Sequence, residues 1–412
     1  MRPTRVWKRL LGLRRTVIEE VRFEEGEQAL VVAVRPKARE RDRCPHCRRR
    51  CAGYDWGEGR RRWRALDLAT TLCFLEAEAP RVSCRDHGVV VAAVPWARHD
   101  SAFTRSFEDQ CAWLAVTTSK TAVCELMRIA WRSVGWICDR VMLEAGAQRD
   151  LLADLARLGI DEISVRRGQR YLTVVVDHDS GRLVWAAPGR DARTVEKFLD
   201  LLGEDRCERI ELVSCDMADW ITRPVAERCP NAEVCLDAYH IVKLATDALD
   251  EIRREVWNEA RRAGEVSLAK DLEGARFAPW KNPENLTARQ RLKLAHIQRI
   301  NQRLYRAYLL KEQLRQIYRV EPGEAIGVLN AWLKWAWRCR LAPFVKLART
   351  IRDQRAGIEA ALRHRLSNAR VEQINTQIRL ITRRGFGYHS PEAVIALAML
   401  SLGGLCPPLP GR

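Results

Sequence analysis

The order of strand and helix patterns over residues 158–240 constrains the fold of this chain most strongly. Residues 158–165, 170–176 and 182–187 are rich in β-branched and apolar residues, as strands are, and Asp179-Ser180-Gly181 marks a turn. Helical spacing follows at 194–202, then a strand at 210–214, a helix at 220–228 and a strand at 233–236. This β-β-β-α-β-α-β order is that of an RNase H-like sheet, in which the first and fourth strands are adjacent.

Acidic residues stand at matching points of this pattern. Asp161 lies in the first strand, Asp216 follows the fourth, and Glu372 lies on a helical pattern over 370–381. Carboxylates hold hard cations such as Mg²⁺, and two such ions can drive phosphodiester cleavage. Each acid also has a structural alternative: Asp216 could cap the next helix, Asp161 could simply end a strand, and Glu372 could be solvated. Asp237 competes with Asp216 for the second ligand position, because both follow strands.

The charge of the chain favours a polyanionic partner. Its 412 residues contain 71 Lys plus Arg and 53 Asp plus Glu, a formal charge of +18, which attracts nucleic acid at low salt. No segment approaches the roughly 20 apolar residues of a membrane span, and the basic N-terminus has no apolar signal core. We therefore expect no membrane partner and a cytoplasmic, nucleoid-associated protein, in which the 14 cysteines are reduced thiols or metal ligands.

Two cysteine-containing pairs in the N-terminal part predict a zinc site. Cys44 and Cys47 form one pair, and Cys84 and His87 form the other. Four such ligands suit one tetrahedral structural Zn²⁺. Alternatively, Cys84 and His87 merely end a strand, and the neighbours His46 and Cys51 stay open as substitute ligands. Strands are predicted at 28–34, 72–82 and 89–94 around this module.

Helical patterns at 107–116, 120–127 and 133–143 predict a helix-turn-helix, with Ser119 as an N-cap and a turn at 130–132. A plain helical linker bundle explains the same periodicity equally well. We expect DNA contacts from the basic residues of this region and from the arginine run that precedes it: Arg60, Arg61, Arg62, Arg64, Lys120, Arg128 and Arg132.

Long blocks of the chain, in order, resemble the DDE insertion-sequence transposases of the ISL-three family. The resemblance rests on Cys44, Cys47, Cys84 and His87, and on the segments 94–115, 118–131, 159–191 (GIDEISVRRGQRYLTVVVDHDSGRLVWAAPGRD), 213–221 (VSCDMADWI), 236–255 and 367–392 (SNARVEQINTQIRLITRRGFGYHSPE). It implies that Asp161, Asp216 and Glu372 are the catalytic acids. Asp237 and His240 match the DxxH pattern of related enzymes and are further catalytic candidates, although a buried core histidine is a rival role for His240.

The resemblance also implies a function and a domain order. We expect an enzyme that binds the terminal inverted repeats of its element as double-stranded DNA, cleaves with two Mg²⁺ or Mn²⁺ ions per active site, and joins 3′-OH ends to target DNA as a homo-oligomer. A DNA-binding regulator that has lost catalysis and a metal-dependent nuclease without strand transfer are the alternatives.

The expected architecture is multidomain α+β, with five consecutive regions. These are a zinc-binding β module (1–97), a helix-turn-helix (98–150), the first part of an RNase H-like core (151–240), an α-helical insertion (241–366), and a C-terminal core helix with tail (367–412). Within the insertion, the tryptophan-rich segment 331–338 either stacks on unpaired DNA bases or buries an aromatic face.

Overall fold

A computed structural model describes residues 3–166, 170–274, 276–385, 388 and 390–411. The chain divides into two compact units. One unit comprises residues 1–151 together with 378–412, and the other comprises residues 152–377. Within the described ranges, no helix is both long and apolar enough to cross a membrane.

The first unit begins with helix α1 (Pro3–Leu10) and contains two sheets. A four-stranded sheet has the order β1-β2-β5-β4, and a three-stranded sheet has the order β3-β6-β7. The strands are β1 (Thr16–Glu24), β2 (Ala29–Pro36), β3 (Ala52–Asp55), β4 (Arg60–Leu68), β5 (Thr71–Glu78), β6 (Arg81–Cys84) and β7 (Gly88–Val91). Trp63 and Trp96 meet edge to face in the core of the larger sheet, with ring centroids 5.6 Å apart.

This module contains more strands than its sequence predicts. The predicted strand at 72–82 is two strands, since β5 ends before Pro80 and β6 begins after it. β1 and β4 were missed because charged residues interrupt their apolar alternation. Those charges pair within the sheet: Arg62 lies opposite Glu76 in the β4–β5 register and also binds Glu24.

Three helices follow in the first unit: α2 (Arg105–Thr117), α3 (Lys120–Met127) and α4 (Trp131–Gln148). The Ser119 hydroxyl accepts a hydrogen bond from Ala122 N–H, so the predicted cap of α3 is present. Arg128 ends α3 in the left-handed region, with φ 52°. The turn is therefore Arg128–Ala130, slightly earlier than the predicted 130–132.

The second unit contains a five-stranded sheet with the order β10-β9-β8-β11-β12. Its strands are β8 (Arg157–Arg166), β9 (Arg170–Asp177), β10 (Leu183–Pro188), β11 (Leu212–Cys215) and β12 (Glu233–Leu236). The first three strands are antiparallel neighbours, whereas β11 runs parallel to both β8 and β12. The predicted adjacency of the first and fourth strands is thus present. The connecting helices are α5 (Ala192–Leu202), α6 (Glu204–Cys207) and α7 (Asp219–Arg228).

The chain then forms helices up to the end of this unit. These are α8 (Ala238–Arg262), α9 (Val266–Leu272), α10 (Phe277–Trp280), α11 (Ala288–Ile300), α12 (Gln302–Gln316), α13 (Pro322–Arg338), α14 (Ala342–Asp353), α15 (Arg355–His364) and α16 (Ala369–Arg384). α8 packs against α12 and α14, and α15 packs against β12. Over 238–274 and 276–384 the structure contains no strand.

The last helix, α17 (Pro391–Leu402), packs against α2 and α4. Residues 378–412 therefore group with the helix-turn-helix region, whereas the sequence pattern predicts all of 367–412 as part of the catalytic core. The apolar composition of α17 explains the difference, because this helix buries Val394, Ala396 and Leu400 against its neighbours.

Candidate active site, zinc site and DNA-binding elements

Two aspartates meet at one end of the second unit's sheet. Asp161 lies in β8, and Asp216 directly follows β11, the strand paired in parallel with β8. Each of Asp161, Glu162 and Asp216 offers an oxygen that lies within 4.8 Å of the other two. The adjacency of the first and fourth strands therefore brings the predicted pair of aspartates together.

A second group shares Asp216. Asp216, Asp237 and His240 also place ligand atoms within 4.8 Å of one another. His240 Nδ1 lies 2.8 Å from Asp216 Oδ1 and 3.1 Å from Asp237 Oδ2, and only the Asp237 oxygen is in line to accept a hydrogen bond. The negative charges of both carboxylates raise the pKa of His240 to about 10, and Asp216 has the larger effect. Because its side chain is 35% exposed and ion-paired, His240 is not a core histidine.

The Asp161 carboxylate is held by two donors. Glu162 N–H donates to Asp161 Oδ1 and Asn375 Nδ2 donates to Asp161 Oδ2, both at 2.8 Å. Burial, followed by the negative charge of Asp216, raises the pKa of Asp161 to about 7. Crowded, partly buried carboxylates raise the free energy of the folded state unless a cation or a proton neutralises them.

The polar atoms around this pocket fit a divalent cation. Among the described residues, the buried oxygen Asn375 Oδ1 has no hydrogen-bond donor, and the buried Asp216 Oδ1 has only its ion pair with His240. A buried oxygen without a donor is costly, whereas a hard cation requires such oxygens as ligands. The donor set of carboxylates and one carboxamide, without sulfur, suits Mg²⁺ or Mn²⁺.

Glu372 is not brought into either acidic group. It lies in the first turn of α16 with an exposed side chain, and its backbone N–H donates to Asn368 C=O at 2.9 Å. Asn375, three residues later, is buried and reaches Asp161. The same helix therefore reaches Asp161 through Asn375, whereas Glu372 lies on its exposed surface.

A glycine and a buried polar chain hold the start of α16 against the sheet. A Cβ on Gly159 would lie 2.3 Å from Val371 Cγ2, so this approach requires glycine at the strand. His178 Nε2 lies 2.7 Å from the Ser214 hydroxyl, which donates to Asn368 Oδ1. Because the Ser214 hydroxyl donates its proton to Asn368, His178 Nε2–H donates to Ser214, and burial lowers the pKa of His178. These contacts fix the position of Asn375 relative to Asp161.

Sequence reasoning missed Glu162 and Asn375. Glu162 is adjacent to Asp161 in β8, and alternation along a strand argues against both facing one pocket. The Glu162 carboxylate lies 2.9 Å from the Arg190 guanidinium, whose positive charge partly neutralises it. Asn375 could have been found from its spacing, because residues three apart on a helix share a face and Glu372 was already a candidate.

The four predicted zinc ligands converge in the first unit. The ligand atoms of Cys44, Cys47, Cys84 and His87 all lie within 4.8 Å of one another. The distances are 3.7 Å between Cys47 Sγ and Cys84 Sγ and 3.5 Å between Cys84 Sγ and His87 Nδ1. A tetrahedron with bonds of about 2.3 Å has edges of about 3.8 Å, so the group matches Zn²⁺. The neighbouring His87 lowers the pKa of Cys84 to about 6, which favours the thiolate that binds metal.

The alternative zinc ligands lie outside this group. Among the described residues, Cys51 and His46 are not members of the four-ligand cluster. His46 instead stacks on His87, with ring centroids 4.9 Å apart. Cys84 ends β6 and His87 stands in the turn before β7, so the hairpin itself sets their spacing.

The arginine run of β4 is largely neutralised inside its own module. Arg62 binds Glu24, Glu27 and Glu76, and the mostly buried Arg64 pairs with Asp67. The remaining two are partly engaged: Arg60 lies 3.5 Å from Glu76, and Arg61 donates to Ser101 C=O. These contacts oppose the predicted role of the run in binding phosphates.

The basic residues of the helix-turn-helix differ in availability. Lys120 is half-buried with its Nζ 4.7 Å from the Trp131 ring centroid, and burial lowers its pKa. Arg128 donates to Thr70 C=O. Arg132, in the first turn of α4, is exposed, and its side chain has no described protein partner. Of the three, Arg132 is the freest to contact DNA.

Three family models match the chain. A transposase model matches residues 158–398, the helix-turn-helix domain of transposase family ISL3 matches residues 92–142, and the zinc-finger of transposase IS204/IS1001/IS1096/IS1165 matches residues 40–87.

Two curated relatives are similar over nearly the whole length. A transposase for insertion sequence element IS1557 from Mycobacterium tuberculosis (strain ATCC 25618 / H37Rv) is 53% identical over 436 residues, covering 100% of this chain and 98% of that protein. A transposase for insertion sequence element IS1001 from Bordetella parapertussis is 26% identical over 379 residues, covering 91% of this chain and 92% of that protein.

Proposed function

The chain belongs to transposase family ISL3, and on that premise we propose that it cuts DNA at the ends of its own insertion sequence and joins those ends to target DNA. One observation carries the proposal. Asp161 and Asp216 meet on paired parallel strands, with one carboxylate oxygen of each within 4.8 Å of the other. This arrangement supports a divalent-cation site where phosphodiester chemistry requires one.

Asp161 and Asp216 would hold two Mg²⁺ or Mn²⁺ ions. Bound there, such ions supply Lewis-acid stabilisation to the attacking and leaving oxygens of a phosphodiester. Asp216 is preferred over Asp237 as the second ligand, because it belongs to both acidic groups, whereas Asp237 accepts a hydrogen bond from His240. His240 positions both carboxylates through its charge.

Glu372 stays the proposed third acid. It stands three residues before Asn375 on α16, so both lie on neighbouring positions of one helix face. The exposure of Glu372 is also the observation that favours the second candidate function, a DNA-binding regulator without catalysis.

The strand order β10-β9-β8-β11-β12 supports an RNase H-like core. The run of helices from α8 to α15 separates β12 from α16 and supports an α-helical insertion in the core. The transposase family model matches residues 158–398 and so includes both the strands and this insertion. The zinc-binding module and the helix-turn-helix would hold the terminal inverted repeats, with Arg132 and the exposed Trp136 of α4 facing the DNA groove. A homo-oligomer would pair the two ends.

The test uses purified full-length protein, Mg²⁺, and linear DNA carrying the sequences that flank its own gene, with a supercoiled plasmid as target. We expect 3′-OH ends at the element boundary and joined products on the plasmid, both absent with Asp161→Asn. Cut ends without joined products would indicate a nuclease. Specific binding without cuts would indicate the regulator.

A further inference from the structure

Helices α13 and α14 carry exposed cations without a described ion-pair partner. Residues 325–352 contain six Lys or Arg (Lys334, Arg338, Arg340, Lys346, Arg349 and Arg352) and no Asp or Glu, and the next residue, Asp353, pairs with Arg352. Lys334 and Arg338 are one helical turn apart on α13, and Lys346 and Arg349 are one turn apart on α14. All four side chains are exposed, and none has an ion pair or a hydrogen bond within the described ranges.

Helices α13 and α14 pack against each other. The Arg352 guanidinium lies 5.7 Å from the centre of the Trp337 ring, across the packed pair α13 and α14. Trp337 is 38% exposed, whereas Trp332 is fully buried and donates from Nε1 to Leu310 C=O at 2.8 Å. The tryptophans of this segment therefore have different surroundings: Trp332 packs in the core, whereas Trp337 lies at the surface beside Arg352.

Some arginines of the same helical region are compensated by acids. Arg303 binds Glu255 and Glu259, and both Arg315 and Arg319 bind Glu284. A surface that leaves four cations unpaired keeps its electrostatic attraction for an outside polyanion. We call Lys334, Arg338, Lys346 and Arg349 the cationic face.

We propose that the cationic face binds the phosphate backbone of target DNA during strand transfer. Lysine and arginine contacts to phosphates fix a duplex in place without reading its sequence. All four side chains of the face are cations, which bind phosphate oxygens whatever the base sequence. A surface of this chemistry suits a duplex of arbitrary sequence, as target DNA is. This proposal rests on the proposed function.

The test removes the four charges together: Lys334→Gln, Arg338→Gln, Lys346→Gln and Arg349→Gln. The matched control removes four charges that are ion-paired in the same unit: Arg223→Gln, Arg254→Gln, Arg303→Gln and Arg363→Gln. Both variants change the net charge equally, and thermal melting verifies that both are folded. A third variant, Lys334→Arg with Lys346→Arg, keeps the charge.

Binding constants for a random duplex and for a terminal-repeat duplex are measured across salt concentrations. Each phosphate contact contributes about 0.9 to the magnitude of the slope of log K against log salt. If all four side chains contact phosphates, the slope of the variant that lacks them is smaller in magnitude than that of the control by up to about 3.6. We also expect lower strand transfer with retained end cleavage, and near-normal behaviour of the Arg variant.

An equal slope for face variant and control overturns the proposal, and so does a loss confined to the terminal-repeat duplex. If the face variant unfolds, the single changes Lys334→Glu and Arg349→Glu replace it, and unchanged random-duplex binding in both overturns the proposal. Failure of the wild-type protein to bind any DNA would instead refute the proposed function.

Discussion

Asn375 donates a hydrogen bond from its side-chain Nδ2 to Asp161 Oδ2 over 2.8 Å, although the two residues are 214 positions apart in the chain. The other carboxamide atom, Oδ1, is buried without a donor among the described residues. Asn375 therefore orients one oxygen of the proposed metal ligand Asp161.

Asn375→Ala should weaken Mn²⁺ binding and slow cleavage, each by about 10–100-fold, as the loss of a partner that orients a metal ligand typically does. Isothermal titration with Mn²⁺ measures the first effect without DNA, and a cleavage assay measures the second. The control is Gln373→Ala, an exposed position on the same helix that should change neither. Unchanged Mn²⁺ affinity in Asn375→Ala would remove this residue from the site.

Asp161→Asn, Asp216→Asn and Glu372→Gln should each abolish cutting while DNA binding stays within about twofold of wild type. The reason is that the acids are proposed to hold metal, whereas the zinc-binding module and the helix-turn-helix are proposed to hold DNA. Gel-shift and cleavage assays on the same preparations separate the two properties. Glu372→Gln is the most informative variant, because the Glu372 side chain is exposed in α16. Full activity of this variant would remove Glu372 from the active site.

Asp216 and Asp237 should respond differently to removal of their charge. Asp216→Asn should eliminate measurable Mn²⁺ binding, because Asp216 is common to both acidic groups. Asp237→Asn should lower the affinity by only about 10–100-fold, since Asp237 acts through its hydrogen bond with His240. Titration of both variants with Mn²⁺ shows which substitution lowers the affinity more. A larger loss in Asp237→Asn than in Asp216→Asn would make Asp237 the metal ligand.

The zinc site predicts one tightly bound metal. Freshly purified protein should contain about one Zn²⁺ per chain, and Cys44→Ser or Cys84→Ser should lose both this metal and repeat-specific binding. Cys51→Ser is the control and should retain zinc, because Cys51 lies outside the four-ligand group. Elemental analysis and a gel shift measure the two properties; native protein without zinc would contradict the site.

Arg132 and Arg62 should show opposite phenotypes, although both are arginines of the DNA-binding unit. Arg132→Ala should reduce the preference for the element's own end over random DNA by about 1–3 kcal/mol, because Arg132 is free and stands at the start of α4. Arg62→Ala should instead lower the melting temperature, because it breaks contacts with Glu24, Glu27 and Glu76. Competition binding and calorimetry measure these effects, and a loss of salt dependence in Arg62→Ala would restore the β4 run as a phosphate-binding segment.

Local chemistry in the sequence determined much of this protein. β-Branched runs and turn residues gave the strand order of the second unit, and the spacing of Cys44, Cys47, Cys84 and His87 was enough to predict a cluster that the structure brings together. Both signals are short in range: a strand pattern and a knuckle-like pair depend only on neighbouring residues. The adjacency of Asp161 and Asp216 was expected from the RNase H-like order, and the parallel pairing of β8 with β11 brings the two residues together.

Long-range packing decided the remainder, because it depends on which side chains can approach one another in three dimensions. Only the absence of a Cβ at Gly159 lets α16 come close enough for Asn375 to reach Asp161, and no periodicity in either segment encodes that contact. The same holds for charge. Arg62 and Arg64 are prominent in the sequence but are neutralised by carboxylates of their own module, whereas Lys334, Arg338, Lys346 and Arg349 stay exposed on the packed helices α13 and α14. Sequence fixes the charge that each residue carries, and the tertiary structure decides whether another residue of the chain compensates it.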